Sequence, residues 1–348
     1  MKRLKSIVMA ALAVVIAAAS ALPTLPVEAV SSSALNFTPK KNYVIEPGKS
    51  VKDKLKLSNL DHSNPLQLTL HVIDFSYTDD TGTPKLFLDQ NAPQTTWSLK
   101  PYMSVPESVT IPAGGTKTLD MSVAMPAGLG AGSYYSAILY STGAPNGGNV
   151  GLSASGVTLV FVNVPGKVKE NLTLQKFGAY RQATASKPAG YEFIATTKPQ
   201  TIAYTLKNAG NVVESPVGSI TLSGMFGQKI TIDNVNPAGS LALIGQSRTF
   251  TTCIKLKSQD VNFQGSKTEA AACADPTLWP GMYTAKLDLF YGQNGNITQE
   301  VVGTTVFWYL PWWFIILATV VLLVLAYVIW RLYNKIRGRQ HAHSRKRR

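Results

Sequence analysis

Histidine is almost absent from this chain: there are four in 348 residues, and His341 and His343 fall among the last eight. His62 and His71 remain, nine positions apart, too few to hold zinc without further ligands. No Ser/His/Asp or Cys/His arrangement can be assembled from them, which points away from nucleophilic catalysis. Acids are scarce too, 19 against 33 basic residues, for a formal charge of +14. That excess is local. Lys2, Arg3 and Lys5 hold three of the positive charges, and eight more (Arg331, Lys335, Arg337, Arg339, Arg345 to Arg348) fall in the last eighteen positions. The 22 basic residues between them all follow residue 29, where they face 18 acids (Glu28 precedes them), so the bulk of the chain carries only about +4. A nucleic-acid surface, which needs a clustered basic face, is excluded. Cysteine occurs twice, as Cys253 and Cys273. A disulfide closing about 21 residues would add roughly 3 kcal/mol on a chain-entropy account, and two free buried thiols are the alternative.

The motifs that resemble chemistry are turns. Asp80-Thr81-Gly82 has the aspartic-protease triplet, but it lacks the apolar flanks and a second copy that a carboxylate pair requires. Gly128-Leu129-Gly130-Ala131-Gly132 leads into a strand, whereas a pyrophosphate-binding loop needs a helix N-terminus behind it. Asp74, Asp79, Asp80 and Asp89 do not have the spacing of a calcium loop. The expectation is a protein that is not an enzyme, with no cofactor, no resident metal and no small-molecule substrate.

What is present is a hydrophobic run near the C-terminus. Residues 312–330 carry no charge and would span about 29 Å as a helix, matching a hydrocarbon core of roughly 30 Å. Trp308, Tyr309, Trp312 and Trp313 stand at one end and Tyr327, Trp330 and Tyr333 at the other, where aromatic rings anchor at the lipid boundaries. Arg331 opens the acid-free basic flank that predicts a cytoplasmic end. Residues 309–331 are thus a predicted transmembrane helix and 332–348 a cytoplasmic tail. At the N-terminus, the positive start followed by the apolar Ile7 to Ala19 predicts a signal peptide within residues 1–29, cleaved after Ala21 or Ala29. Everything between would lie outside the cytoplasm.

That exported part reads as strands. Leu66, Leu68, Leu70 and Val72 alternate with Gln67, Thr69 and His71; Leu119, Met121, Val123 and Met125 alternate with Asp120, Ser122 and Ala124. A period of two, broken by Glu46-Pro47-Gly48, Pro112-Ala113-Gly114-Gly115 and Asn146-Gly147-Gly148-Asn149, predicts antiparallel sandwiches. Only Ala92 to Met103 suggests a short helix. Leu57-Ser58-Asn59 recurs as Leu206-Lys207-Asn208 and Gly132-Ser133-Tyr134 as Gly281-Met282-Tyr283, both 149 positions on, which predicts a duplicated domain. The expected fold class is all-β: two tandem immunoglobulin-like β-sandwiches, 30–165 and 166–306, then one transmembrane α-helix. The Cys253–Cys273 stretch is expected as an insertion in the second copy.

Several of these stretches carry a resemblance. Tyr43 to Lys49 (YVIEPGK), Val109 to Gly114, Met125-Pro126, Leu206-Lys207-Asn208-Ala209-Gly210-Asn211, Ser215 to Ile220, Pro280 to Ala285 and Phe307-Trp308 before Pro311-Trp312 resemble the bacterial WxL-interacting protein family and its relatives. The chain departs from that pattern at Gly128 to Tyr140 and in the cysteine-bearing insertion. The resemblance implies a first domain similar to a peptidoglycan-binding module and a second similar to a partner-binding one, with no individual binding residue carried over. The expected partners are therefore cell-wall polymer or surface proteins together with the cytoplasmic membrane. The competing expectation is a chaperone-like subunit of a membrane-bound export or pilus-type assembly. Tyr134, Tyr135 and Tyr140 are the aromatics placed to serve as a binding platform, unless they pack in the core.

Overall fold

The computed structural model describes residues 35–77, 83–89, 95–142, 153–263, 266–292 and 298–345. The signal-peptide stretch, Asp79 to Gly82 and the Asn146–Asn149 turn lie outside the described residues. In chain order the first half forms β1 (Leu35–Phe37), β2 (Lys40–Val44), β3 (Ser50–Asn59), β4 (Leu66–Ile73), β5 (Phe75–Tyr77) and β6 (Pro84–Leu86). After a 3-10 turn at Lys100–Tyr102 come β7 (Met103–Ser104), β8 (Ser108–Ile111), β9 (Thr116–Ala124), β10 (Gly132–Thr142) and β11 (Ser153–Val164). The second half forms β12 (Leu172–Arg181), β13 (Gly190–Tyr191), β14 (Ile194–Ala195), β15 (Thr201–Asn208), β16 (Val217–Gly224) and β17 (Lys229–Ile232). It continues with β18 (Ser247–Cys253), β19 (Leu256–Phe263), β20 (Ser266–Cys273), β21 (Gly281–Tyr291), β22 (Gln299–Tyr309) and the helix α1 (Trp312–Arg345).

Among the described residues the protein is all-β apart from α1 and the 3-10 turn, and each half is an immunoglobulin-like sandwich. In the first, a sheet of order β1-β3-β9-β7 packs on one of order β2-β11-β10-β4-β8. In the second, β13-β12-β15-β18 packs on β14-β22-β21-β16-β17. The two larger sheets correspond strand for strand, down to a parallel edge strand, β2 on β11 and β14 on β22. The turns follow from composition. Glu46-Pro47-Gly48-Lys49 closes with the Lys49 amide donating to the Glu46 carbonyl at 3.0 Å, and Gly48 takes φ +77°. Proline and then glycine at the two central positions are what such a turn demands.

The 149-residue offset has a structural counterpart. Asn59 and Asn208 are both buried at strand ends, and each side-chain oxygen accepts the amide two residues on, from Asp61 and Gly210 respectively. Each side-chain amide then donates to two carbonyls, of Asn64 and Pro112 in the first copy and of Val212 and Ala242 in the second. A buried asparagine satisfied on both sides fixes the loop that it spans.

Strand β10 shows where alternation fails. Ile138 and Tyr140 point into the first sandwich core, while Tyr135, Ala137 and Leu139 point outward yet are equally buried. Their cover is a third apolar cluster in which Ile73, Phe75 and Phe161 meet Leu243 and Ile244 of the second sandwich, with Trp97 and Leu241 at its margin. Burial of each such side chain stabilises by roughly 1.5–3 kcal/mol, so the two lobes are joined by a core rather than by a linker. Tyr135 and Tyr140 are therefore packing residues and no platform. Tyr134 is half-exposed, with its hydroxyl donating to the Gly130 carbonyl.

Two boundaries differ from expectation. The helix starts at Trp312 and not at 309, because Tyr309 closes β22 opposite Gly281 and the Pro311 carbonyl accepts the first helical amides, from Phe314 and Ile315. The helix also runs past 331 to Arg345, through the basic flank. No helix forms over 95–103 beyond the 3-10 turn, since Ser98 bridges Tyr135 and anchors the segment to β10.

Candidate binding cleft

The cysteine-bearing stretch is a two-stranded hairpin, β19 with β20, leaving the end of β18. Cys253 and Cys273 are bonded at its base, with Cα atoms 5.1 Å apart. It lies at the end of the second sandwich remote from the junction of the lobes.

At that junction, the Asn-x-Gly-Asn turn does the joining. The Asn211 side-chain amide donates to the Ala131 carbonyl at 3.0 Å, the Asn211 carbonyl accepts the Ser133 amide at 3.0 Å, and the Val213 amide donates to Ser133 Oγ at 2.9 Å. Gly132 is required here: a Cβ at that position would stand 2.7 Å from the Asn211 carbonyl oxygen.

Beside this seam lies a cleft of about 410 Å³. One wall is β2 and β11 of the first sandwich, contributing Lys40, Asn42, Tyr43, Phe161 and Asn163; the other is Val213, Glu214, Ser215, Gly239 and Leu241 of the second. Its size falls within the usual range for ligand sites. Lys40 extends over the Phe161 ring, 5.5 Å from its centroid, and partial burial, followed by the nearby Arg248, lowers its pKa. Arg248 itself stacks between Tyr77 and Phe250, at 4.7 and 5.2 Å, and donates to the Leu241 carbonyl. On the opposite wall Glu214 is held by a backbone bridge to Ala242, and its Oε2 accepts the Gly292 amide at 3.2 Å. Burial pushes its carboxyl up to about 7, with Glu170 adding repulsion and the Gly292 bond opposing.

Strand β2 gives the cleft its chemical character. It is the edge of its sheet, with β11 on one side and, among the described residues, no strand on the other. The Pro39 carbonyl accepts from Leu159 and the Ile45 amide donates to Asn163, so odd-numbered residues face β11. By alternation, the backbone N–H and C=O of Lys40, Asn42 and Val44 face outward. Lys41 and Tyr43 hold the strand down from behind, both bonded to Asp53 of β3 at 2.5 Å. The Lys41 and Tyr43 bonds keep the Asp53 carboxyl at about 2.

No family model and no curated protein matches the sequence. Among solved structures, the chain is similar to a chaperone–tip adhesin complex of CFA/I fimbriae biogenesis (10% identity, 78% of this chain and 98% of that one, TM-score 0.34). It is also similar to the class 5 fimbriae chaperone CfaA (11%, 78% and 98%, 0.34) and to the E. coli chaperone DraB (12%, 77% and 97%, 0.32). At these identities and scores the likeness carries no argument about what this chain binds.

The remaining site residues lie on α1. Residues 312–335 are long and apolar enough to cross a membrane, with none of that stretch buried against the lobes. Trp312 and Trp313 are exposed at its start; Trp330 and Arg331 stand about 27 Å further along the axis. Arg331 folds back, its Nε donating to the Tyr327 hydroxyl at 3.0 Å and its guanidinium 5.6 Å from that ring. Among the described residues no group of three or more His, Cys, Asp or Glu could hold a metal ion.

Of the cleft residues, Tyr43 and Ser215 fall in stretches that the sequence singled out, and for their turn chemistry alone. Lys40 and Glu214 carry no local signal, because they become neighbours only when the lobes dock.

Proposed function

We propose that this is a non-catalytic, membrane-anchored envelope protein that holds an extended segment of a partner protein in the cleft between its sandwiches. Helix α1 would cross the cytoplasmic membrane with its basic end inside, placing both lobes outside. The observation that carries the reading is the open edge of β2 lining the cleft. A row of outward N–H and C=O groups pairs with an added strand, and main-chain hydrogen bonds then supply affinity with little demand on sequence. The glycan strands of wall polymer have no such row and its stem peptides only a short one, so the edge favours a surface protein as the primary ligand. The resemblance to WxL-interacting proteins, which implies the holding of surface proteins near the wall, agrees. The rival reading, a chaperone-like assembly subunit, shares this chemistry and differs in whether the partner stays.

The test places a photo-crosslinker at Lys40 in the full-length protein in intact cells. A discrete protein adduct is expected, and Asn42→Pro, which deletes an outward N–H while leaving the β11 ladder intact, should abolish it. Asn42→Ala should not. Adducts of equal yield in the proline variant, or none at all in the parent, would overturn the proposal. A stable adduct that persists after pulse-chase supports a holdfast, and a transient one the assembly role.

A further inference from the structure

At the end of the second sandwich from which α1 departs, the large sheet finishes in a row of nonpolar residues. Ile194 pairs with Trp308, Trp308 with Met282, and the Met225 amide donates to the Met282 carbonyl at 3.1 Å. The Phe193 carbonyl accepts the Trp308 amide in the same row. With strands about 4.8 Å apart, the row is about 15 Å wide. Met225 and Phe226 form the β16–β17 turn and lie over Gly281, where a Cβ would meet Met225 Sδ at 2.8 Å. Trp279 immediately precedes this stretch, held by its amide to the Tyr283 hydroxyl.

These side chains have little cover. Phe193 is 63% exposed, Ile194 55%, Met225 56%, Phe226 69% and Trp279 65%. Large exposed apolar groups gathered at one end mark an interaction surface. Their position names the partner: the row reaches Trp308 and Tyr309, and only Leu310 and Pro311 separate these from Trp312, the first aromatic of the apolar helix. The half-exposed Trp308 thus stands four residues of chain from the segment that would enter lipid, with Tyr309 and Pro311 buried between them.

We propose that Phe193, Ile194, Met225, Phe226 and Trp279 form a second lipid contact, a rim that rests in the interfacial zone of the leaflet entered by α1. Aromatic and thioether side chains suit that zone, where an apolar body can be buried beside a wet surface. The rim holds the second sandwich upright on the bilayer and restricts its swing about Pro311. The proposal rests on α1 being the anchor.

The experiment uses the full chain in phosphatidylcholine nanodiscs, with a fluorophore on Phe226→Cys, Ile194→Cys, Leu322→Cys or Ser63→Cys and nitroxide lipids labelled near the headgroup and along the acyl chain. The native cysteines are bonded to each other and do not compete for label. Probes at 226 and 194 should be quenched by headgroup-level nitroxide at least about twofold more than the probe at Ser63, in the far loop. The probe at Leu322 should be quenched by acyl-chain nitroxide. If 322 is quenched while 226 and 194 stay at the Ser63 level, the rim is overturned and the anchor stands. If 322 is not quenched, the anchor reading fails and the rim with it. Both exposed positions tolerate substitution, and a melting curve matching the parent confirms that each labelled protein is folded.

Discussion

At the residue scale, Glu214 has the largest consequence for its size. Its carboxyl is driven up to about 7 by burial, so the folded state holds a proton that the unfolded chain releases near the ordinary value of about 4.3. Between those values the folded form binds more protons, and stability therefore falls as pH rises from about 4.5 through 7. Glu214→Gln keeps an acceptor for the Gly292 amide and removes the charge. Its melting temperature should exceed the parent's by several degrees at pH 8 and match it near pH 5, a comparison made by scanning calorimetry in detergent. An offset that is the same at both pH values would contradict the assignment. Nothing in the sequence marks this glutamate, which sits between Val213 and Ser215 with no periodic neighbour. Asn59 and Asn208, by contrast, were legible through their shared offset, since a loop that depends on one buried amide must retain it in both copies. What the offset could not convey is that the copy-one loop bonds to the β8–β9 turn of its own lobe while the copy-two loop, through Asn211, clasps the other lobe.

At the scale of elements, the strands with one wet face were readable and those with two covered faces were not. β9 alternates as the sequence says, but β4 buries Thr69 as deeply as Leu70 and leaves Val72 half-buried, and β10 buries Tyr135, Ala137 and Leu139 on its outer face because Leu243 and Ile244 arrive there from more than a hundred residues away. Period alone cannot distinguish a strand covered twice from any other apolar run. The cysteine hairpin was readable as an insertion, with a disulfide and two free thiols both open. Its bond ties Cys253 to Cys273 where β18 passes into β19, and the backbone around it is held by the Ile254–Gln200 and Ala274–Lys255 bonds. Replacing both cysteines by alanine should cost up to about 3 kcal/mol, confined to this end. Hydrogen exchange across 256–273 should accelerate by one to two orders of magnitude, in proportion to that cost, while crosslinking from Lys40 is unchanged. Loss of the cleft crosslink in this variant would show that the hairpin supports the junction, against the arrangement described.

For the whole molecule, duplication and the apolar C-terminal helix were plain from the outset, because both are written in local pattern. The way the lobes meet was not, since it depends on Gly132 yielding room to Asn211 and on a core shared between distant segments. The orientation argued above has a direct check. Protease added to intact wall-less cells should remove both lobes and leave a C-terminal epitope tag protected; digestion of the tag alone would invert the molecule. The route of the chain through the second sandwich carries a further consequence. The chain enters at the junction through β12 and leaves at the opposite end through β22, whose eleven paired positions on β21 end one short step from the helix. If the cleft holds a partner and α1 is the anchor, as proposed, a tug on that partner would load the strands lengthwise against the bilayer. The rungs of the ladder would then slide together instead of parting singly, a geometry that resists tension.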